Sequence, residues 1–429
     1  MNSIASNEPS SSFRSDLIGG FTSFLTMAYI VVVNPAILST EGTGLSFTGV
    51  MTATVLLAAS MTILMGLYAK LPFGVAPGMG LNAFLTFGVI LNQKVPWPVA
   101  MGLVFWAGVL FLILSLLPVR MAIVHAIPLH LRSAAAIGIG LFLAFIGLKN
   151  AGLVSSDPVT FVKFSGWTRA NALSVLGLAS MAIMLQKGWK TAFLAGIVLI
   201  TLAAASLGLV VPPEHALSLP DFSSTFFKLD LVGSLRSEYL GVIFAIMMTD
   251  LFDSVSTLSG VAQTTGLLDD RGQPKHLREG LIVDAYATLC AGLMGTSSGT
   301  AFIESAAGIQ AGGRTGRAAV ITGLCFLPCL FLAPLAGMVP GFATAPVLIL
   351  VGAMMLKGGI RIFESEQYED IIPSFLTLLL IPLTFSITQG ILWGLISHAL
   401  LYTAAGRRRE LSRVTWALAG LAIVLLCLH

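Results

Sequence analysis

Charge is scarce in this sequence. Only 10% of its 429 residues are Asp, Glu, Lys or Arg, against about 25% in ordinary soluble domains. Apolar residues make up 56% of the chain, and apolar runs of helical-span length recur along nearly its whole length. A soluble globular fold is therefore excluded, and a polytopic α-helical membrane protein is expected. Strands alternating apolar and polar residues over about ten positions are missing, which excludes a transmembrane β-barrel. Cysteine is also sparse: Cys290, Cys325, Cys329 and Cys427 all lie in apolar segments, so no disulfide framework is expected. Cys325 and Cys329 share a helix face but read as core thiols, and no metal site is expected. The segment "MNSIASNEPSSSFR" has no basic stretch leading into a cleavable apolar core. It reads as a short cytoplasmic tail before an uncleaved first helix. No glycine-rich stretch has the lysine that a phosphate loop requires, and no His-Glu-x-x-His is present.

What is there reads as apolar segments near 17–38, 49–69, 76–91, 98–117, 132–148, 172–187, 191–211, 239–263, 279–296, 301–311, 318–339, 343–359, 371–387 and 389–404. A further stretch, 413–428, follows "GRRRELSR" and reads as an interfacial or peripheral helix. The net charge of +3 is small. Lys70, Arg120, Arg132, Lys187, Lys190, Arg271, Lys275, Arg278, Arg314, Arg317, Lys357, Arg361 and Arg407–Arg409 fall into loops on one side. By the positive-inside rule that side is cytoplasmic, with both termini there. The basic residues thus fit membrane topology, not a nucleic-acid surface. The long outer loops are 149–171 and 212–237. His125 and His130 flank Pro128 and read as ordinary loop residues.

Two segments break the helical pattern at corresponding places. "PFGVAPGMGLNAF" (72–84) and "GTSSGTAFIESAAG" (295–308) are each a Gly/Ser/Pro-rich extended piece that leads into a short helix beginning near Asn82 or Glu304. Asp250 precedes Glu304 by 54 residues, as Ala28 precedes Asn82. A second echo pairs "AIPLHLRSAAAIGIG" with "TAPVLILVGAMMLKGG". About fourteen segments then form a 7+7 inverted repeat, with half-helices at segments 3 and 10. Such a repeat marks a secondary transporter, and its broken pair marks the substrate site.

Ionisable residues inside the apolar runs carry the chemistry. Asp250 and Asp253 share a face of the 243–263 helix, with no lysine or arginine in that helix to neutralise them. One reading ties each to buried hydroxyl or backbone donors such as Thr249, Ser254 or Thr257. The other has the pair repel, so that one holds a proton part of the time and can release it during a transport cycle. Glu304 begins the second short helix, where it either stabilises the helix dipole or meets a ligand or proton. Asp284, in "LIVDAYATL", either ties its helix to a neighbour or joins proton handling. Asp253, Glu304 and Asp284 are the proton-coupling candidates. Asp250, Glu304, Asn82, Asp253, Phe302, Phe84, Ala83, Ser305 and Thr300 are the substrate-binding candidates. Phe84 and Phe302 are placed either to stack on a flat ring or to fill the core. Between Asp250 and Asp253, spacing to Glu304 favours Asp250 for direct contact, with Asp253 left for proton handling or for holding the site in shape. An anion carrier would not line its site with carboxylates. An intramembrane aspartic protease would have to improvise its pair from Asp250 and Asp284.

The segments "GGFTSFLTMAYIVVVNPAIL" (19–38), "PFGVAPGMGLNAF", "GIGLFLAFIGLKNAG" (138–152), "TDLFDSVSTLSGVAQTTGLLD" (249–269), "GTSSGTAFIESAAGIQAGGRTG" (295–316) and "LAPLAGMVPGFATAPVLILVG" (332–352) resemble the AzgA-like purine permeases. These are a branch of the nucleobase-ascorbate and nucleobase-cation symporter group, and the resemblance runs nearly end to end. It implies a cytoplasmic tail (1–16), a core domain (17–117 and 238–339), a gate domain (118–237 and 340–404) and a basic, apolar tail (405–429). It also implies a purine base as substrate, a proton as coupling ion, no other cofactor, an elevator-like core/gate movement and a homodimer in a bacterial inner membrane. The positions matching Asn82, Asp250, Asp253 and Glu304 are linked in that family to purine recognition. Glu304 is followed by "SAAG", without the asparagine of the xanthine and uracil branch, which favours hypoxanthine, guanine or adenine.

Overall fold

The computed structural model describes residues 12–117, 128–268, 274–359 and 367–427. His125, Arg120, Arg271 and Arg361 lie outside them. The chain is mostly helical. In order come α1 (Phe13–Met27), α2 (Ile30–Leu38), α3 (Phe47–Leu67), β1 (Val75–Pro77), α4 (Met79–Ala83), α5 (Trp97–Leu116), α6 (Leu129–Asn150), β2 (Val154–Asp157), β3 (Phe161–Phe164), α7 (Arg169–Gln186), α8 (Ala192–Ser206), α9 (Leu240–Thr265), α10 (Leu277–Met294), β4 (Gly299–Ala301), α11 (Ser305–Gln310), α12 (Gly316–Phe326), α13 (Ala333–Gly337), α14 (Gly341–Gly359), α15 (Tyr368–Thr384), α16 (Ile387–Ala404) and α17 (Arg413–Cys427). A wide π-helical run, Phe84–Asn92, continues α4.

Among the described residues, five helical stretches are long and apolar enough to cross a membrane: Phe13–Leu38, Phe47–Leu67, Trp97–Leu116, Leu129–Asn150 and Ser237–Thr265. Their ends follow local chemistry. Ser46 caps α3, and Thr168 with Asn171 forms a reciprocal capping box on α7. Gly266 and Gly295 close α9 and α10 in the left-handed conformation that glycine adopts without strain. The apolar run read over 17–38 falls within one such stretch, Phe13–Leu38, in which α1 and α2 adjoin at Ala28–Tyr29, both with right-handed helical backbone. The long loop 149–171 is no plain loop: β2 and β3 pair within it as an antiparallel hairpin, Val154 opposite Phe164.

The helices pack in two sets. α1 and α3 hold α12, while α5 packs along α10, with α9 against both. α6 packs on α14 and α15, α15 on α16, and α14 on α7, which in turn packs on α8. The 413–428 stretch is helical, and α17 lies along α16 with Thr415, Leu418, Ala419, Ala422 and Leu425 buried.

Candidate functional site

The extended pieces at 72–84 and 295–308 meet. β1 and β4 pair antiparallel, with Val75 opposite Ala301, Ala76 opposite Thr300 and Pro77 opposite Gly299. All six residues are buried. Backbone that leaves helical form inside apolar surroundings must find partners within the protein, and each strand supplies them for the other. Side chains complete the ends. Thr62 Oγ1 accepts from the Val75 N–H at 2.9 Å and donates to the Val75 carbonyl at 3.0 Å. The Gly74 N–H donates to Ser305 Oγ at 2.9 Å. The Gly78 N–H donates to the Ser298 carbonyl, also at 2.9 Å. Glycine at 78 permits this approach: a Cβ there would lie 2.8 Å from Thr300 Cγ2, so Thr300 would have to shift.

Around this pair stand the acids, held by hydroxyls and, among the described residues, not by cations. Ser298 Oγ donates to Asp250 Oδ2 at 2.6 Å, and Thr288 Oγ1 donates to the same oxygen. Thr300 Oγ1 donates to Asp253 Oδ2 at 3.4 Å and lies 3.3 Å from Ser254 Oγ. Ser254 in turn donates to Asp284 Oδ2. Glu304, immediately before α11, accepts from the Tyr29 hydroxyl at 2.7 Å. Asn82 Nδ2 donates to Asn34 Oδ1 at 2.8 Å, and Asn34 reaches Thr54 and Thr296 at 2.7 and 2.9 Å. The hydroxyl-satisfied reading of the carboxylates therefore holds in part: Ser254 is a donor, as expected, but to Asp284.

A cleft opens where the two sets of helices meet. Gly78 and Gly80 at the start of α4, Thr249, Phe252 and Asp253 on α9, and Arg132 on α6 line it, with Met355 of α14 behind. Of the nine substrate-binding candidates, only Asp253 lines this cleft. Asp250, Asn82, Ala83, Phe84 and Ser305 are fully buried, and Phe302 and Thr300 nearly so. Among them, Asp250 and Thr300 link α9 to β4 and the residue before it, and Ser305 closes one end of β1. The two aspartates differ in position: Asp253 lines the cleft, whereas Asp250 accepts from Thr288 and Ser298.

The sequence reading missed Arg132, Phe252 and Tyr29. Arg132 reads from the sequence as a loop charge, yet it lies in the first turn of α6, half-buried, with its Nε lacking a hydrogen-bond partner. Its signal was the apolar run that begins before it, at Leu129. Tyr29 and Asn34 were visible as polar residues in an otherwise apolar run. Asp250 and Asp284 do stand on neighbouring helices, but each is engaged by hydroxyls.

Long apolar helices around a buried polar centre define a multi-pass membrane protein of transporter fold. The transmembrane domain of a cyanobacterium bicarbonate transporter, BicA, shares that fold: TM-score 0.67 at 19% identity, over 88% of this chain and 97% of that one. The chain belongs to the permease family that includes the xanthine/uracil permeases, whose family model matches residues 14–393. It is 42% identical to the adenine permease AdeP of Escherichia coli (strain K12), covering 93% of this chain and 89% of that one. It is 37% identical to the guanine/hypoxanthine permease PbuO of Bacillus subtilis (strain 168), covering 94% and 95%. These relatives are transporters, not enzymes.

Proposed function

We propose that this protein imports purine nucleobases (hypoxanthine, guanine or adenine) together with a proton. The observation that carries the reading is the cleft between the two helix sets, where a carboxylate, a guanidinium and an aromatic ring converge. A purine is flat, with N–H donors and ring-nitrogen or oxo acceptors on its rim. Asp253 accepts from the donors, Arg132 donates to the acceptors, and Phe252 offers a ring face. Gly78 and Gly80 leave room for the ring beside the backbone. The substrates in the relatives' names, adenine and guanine/hypoxanthine, support the same class.

In this reading Asp253 makes the direct contact. Asp250 and Asp284, linked to it through Thr300, Ser254 and the β4 backbone, hold the site in shape and pass the proton. Glu304 and Tyr29 anchor α11 against the first helix. The antiparallel strand pair and the packing into two sets support a 7+7 inverted repeat. α1–α5 with α9–α13 form the moving core, and α6–α8 with α14–α16 form the gate. A homodimer in a bacterial inner membrane, with both termini cytoplasmic, completes the proposal. A carrier of anions is the competing reading, because Arg132 lines the cleft and the fold is shared with a bicarbonate transporter. Asp253 beside it weighs against that.

Uptake of labelled hypoxanthine, guanine, adenine, xanthine, uracil and bicarbonate, in cells lacking their own carriers, tests the proposal at several external pH values. A purine should accumulate, faster at acid external pH, and an uncoupler should stop its concentration. Failure of every purine to accumulate rejects the substrate class; persistence with the uncoupler rejects the proton.

A further inference from the structure

Away from the strand pair, α6, α15 and α16 converge on a second polar cluster. His130 is the second residue of α6, Asp370 lies in the first turn of α15, and His398 is in the C-terminal half of α16. One ligand atom from each lies within 4.8 Å of the others. His130 Nδ1 is 3.6 Å from Asp370 Oδ1, and the imidazole rings are 5.0 Å apart, centre to centre. The Tyr402 hydroxyl, one turn beyond His398, donates to Asp370 Oδ1 at 2.7 Å and so fixes the carboxylate. His398 is only 2% exposed, yet its Nδ1 has no hydrogen-bond partner, and neither has the buried Nε2 of His130.

Two buried imidazole nitrogens without partners are costly, and both belong to side chains gathered around one oriented carboxylate. We propose that His130, Asp370 and His398 form a binding site for a divalent transition-metal ion, with zinc the best fit. Two imidazoles and a carboxylate, from three separate helices, are the donor set zinc takes when it keeps a fourth position for water. Magnesium and calcium, which prefer oxygen donors throughout, do not suit it. Tyr402 acts as the outer partner that orients a ligating carboxylate. The site's consequence follows from α6: the helix that carries His130 also carries Arg132 into the cleft. An ion here would staple α6 to α15 and α16 and set how freely the cleft-lining helix moves.

The test is chelator competition on the full-length protein, purified in detergent and stripped of metal, with Cys325 and Cys329 replaced by serine so that thiols do not contribute. Zinc should bind in an equimolar amount against a chromophoric chelator, unaffected by excess magnesium or calcium. His398→Asn and His130→Asn should each weaken it by more than about tenfold while the elution profile stays that of wild type. Sub-stoichiometric zinc in the unmutated cluster overturns the proposal, whether or not the variants fold. So does unchanged affinity in both folded variants. Because the readout is binding and not uptake, the result stands apart from the purine assignment.

Discussion

Asp250 and Asp253 sit one turn apart on α9, and that small rotation gives them different neighbours. Asp253 lines the cleft; Asp250 receives hydroxyls from Thr288 on α10 and Ser298 before β4. Their shared helix face was legible in the sequence. Which of the two meets the cleft was not, because the donors that claim Asp250 lie 38 and 48 residues further along the chain. Asp253→Asn should abolish purine uptake with normal membrane levels, measured by labelled uptake beside quantitative blotting; uptake at the wild-type rate would refute the contact. Ser298→Ala strips a buried carboxylate of a donor and should cost about 1–3 kcal/mol, read as a lower unfolding temperature of the purified protein. Arg132→Lys keeps the charge but not the planar fork of donors, so hypoxanthine and guanine uptake should fall more than adenine uptake. Equal loss of all three would show that Arg132 does not read the oxo group.

The broken segments were the most legible elements, since glycine, serine and proline at 72–80 and 295–300 announce non-helical backbone. Their mutual register was not legible: it depends on side chains such as Thr62 and Ser305 that close the strand ends from elsewhere. Nor was the π-helical run, whose apolar residues carry no period that sets it apart from an α-helix and whose Gly88 packs against the Phe385 carbonyl on the way into α16. Gly78→Ala tests the strand pair directly. The added methyl must displace Thr300, the hydroxyl donor of Asp253. Overpacking of this kind costs about 1–3 kcal/mol, so both the unfolding temperature and the uptake rate should drop. A variant that matches wild type in both would mean that β1 and β4 separate at no cost.

Across the whole molecule, composition alone settled the membrane class, while the packing of helices distant in sequence decided which faces meet. The linker 212–237 illustrates this, since it is tied to the start of α3 through one acid. Asp221 is partly buried, which raises its proton affinity, but donors from Ser224, Thr48 and Ser223 outweigh that and hold its pKa down from 3.8 to about 2. A carboxylate with a lowered folded-state pKa stabilises the fold fully above its unfolded value and loses that contribution as the pH falls toward the folded one. Unfolding temperature should therefore decline between about pH 4 and pH 2, and Asp221→Asn should flatten that decline by abolishing the titrating group. An unchanged acid slope in the variant would place the sensitivity elsewhere.

The pairing of β1 with β4 also has a consequence for biosynthesis. Gly74 and Ser305, which close one end of it, are 231 residues apart. At ~5–20 residues synthesised per second, the first strand emerges roughly 10–50 s before its partner exists. Throughout that interval its peptide groups have no sheet to join and no water to bind once in the bilayer. The extended segment around β1, unlike the helices beside it, must therefore wait near the insertion machinery, or in the polar headgroup layer, until its partner arrives. The centre of the protein is thus assembled last, after its helices have already entered the membrane.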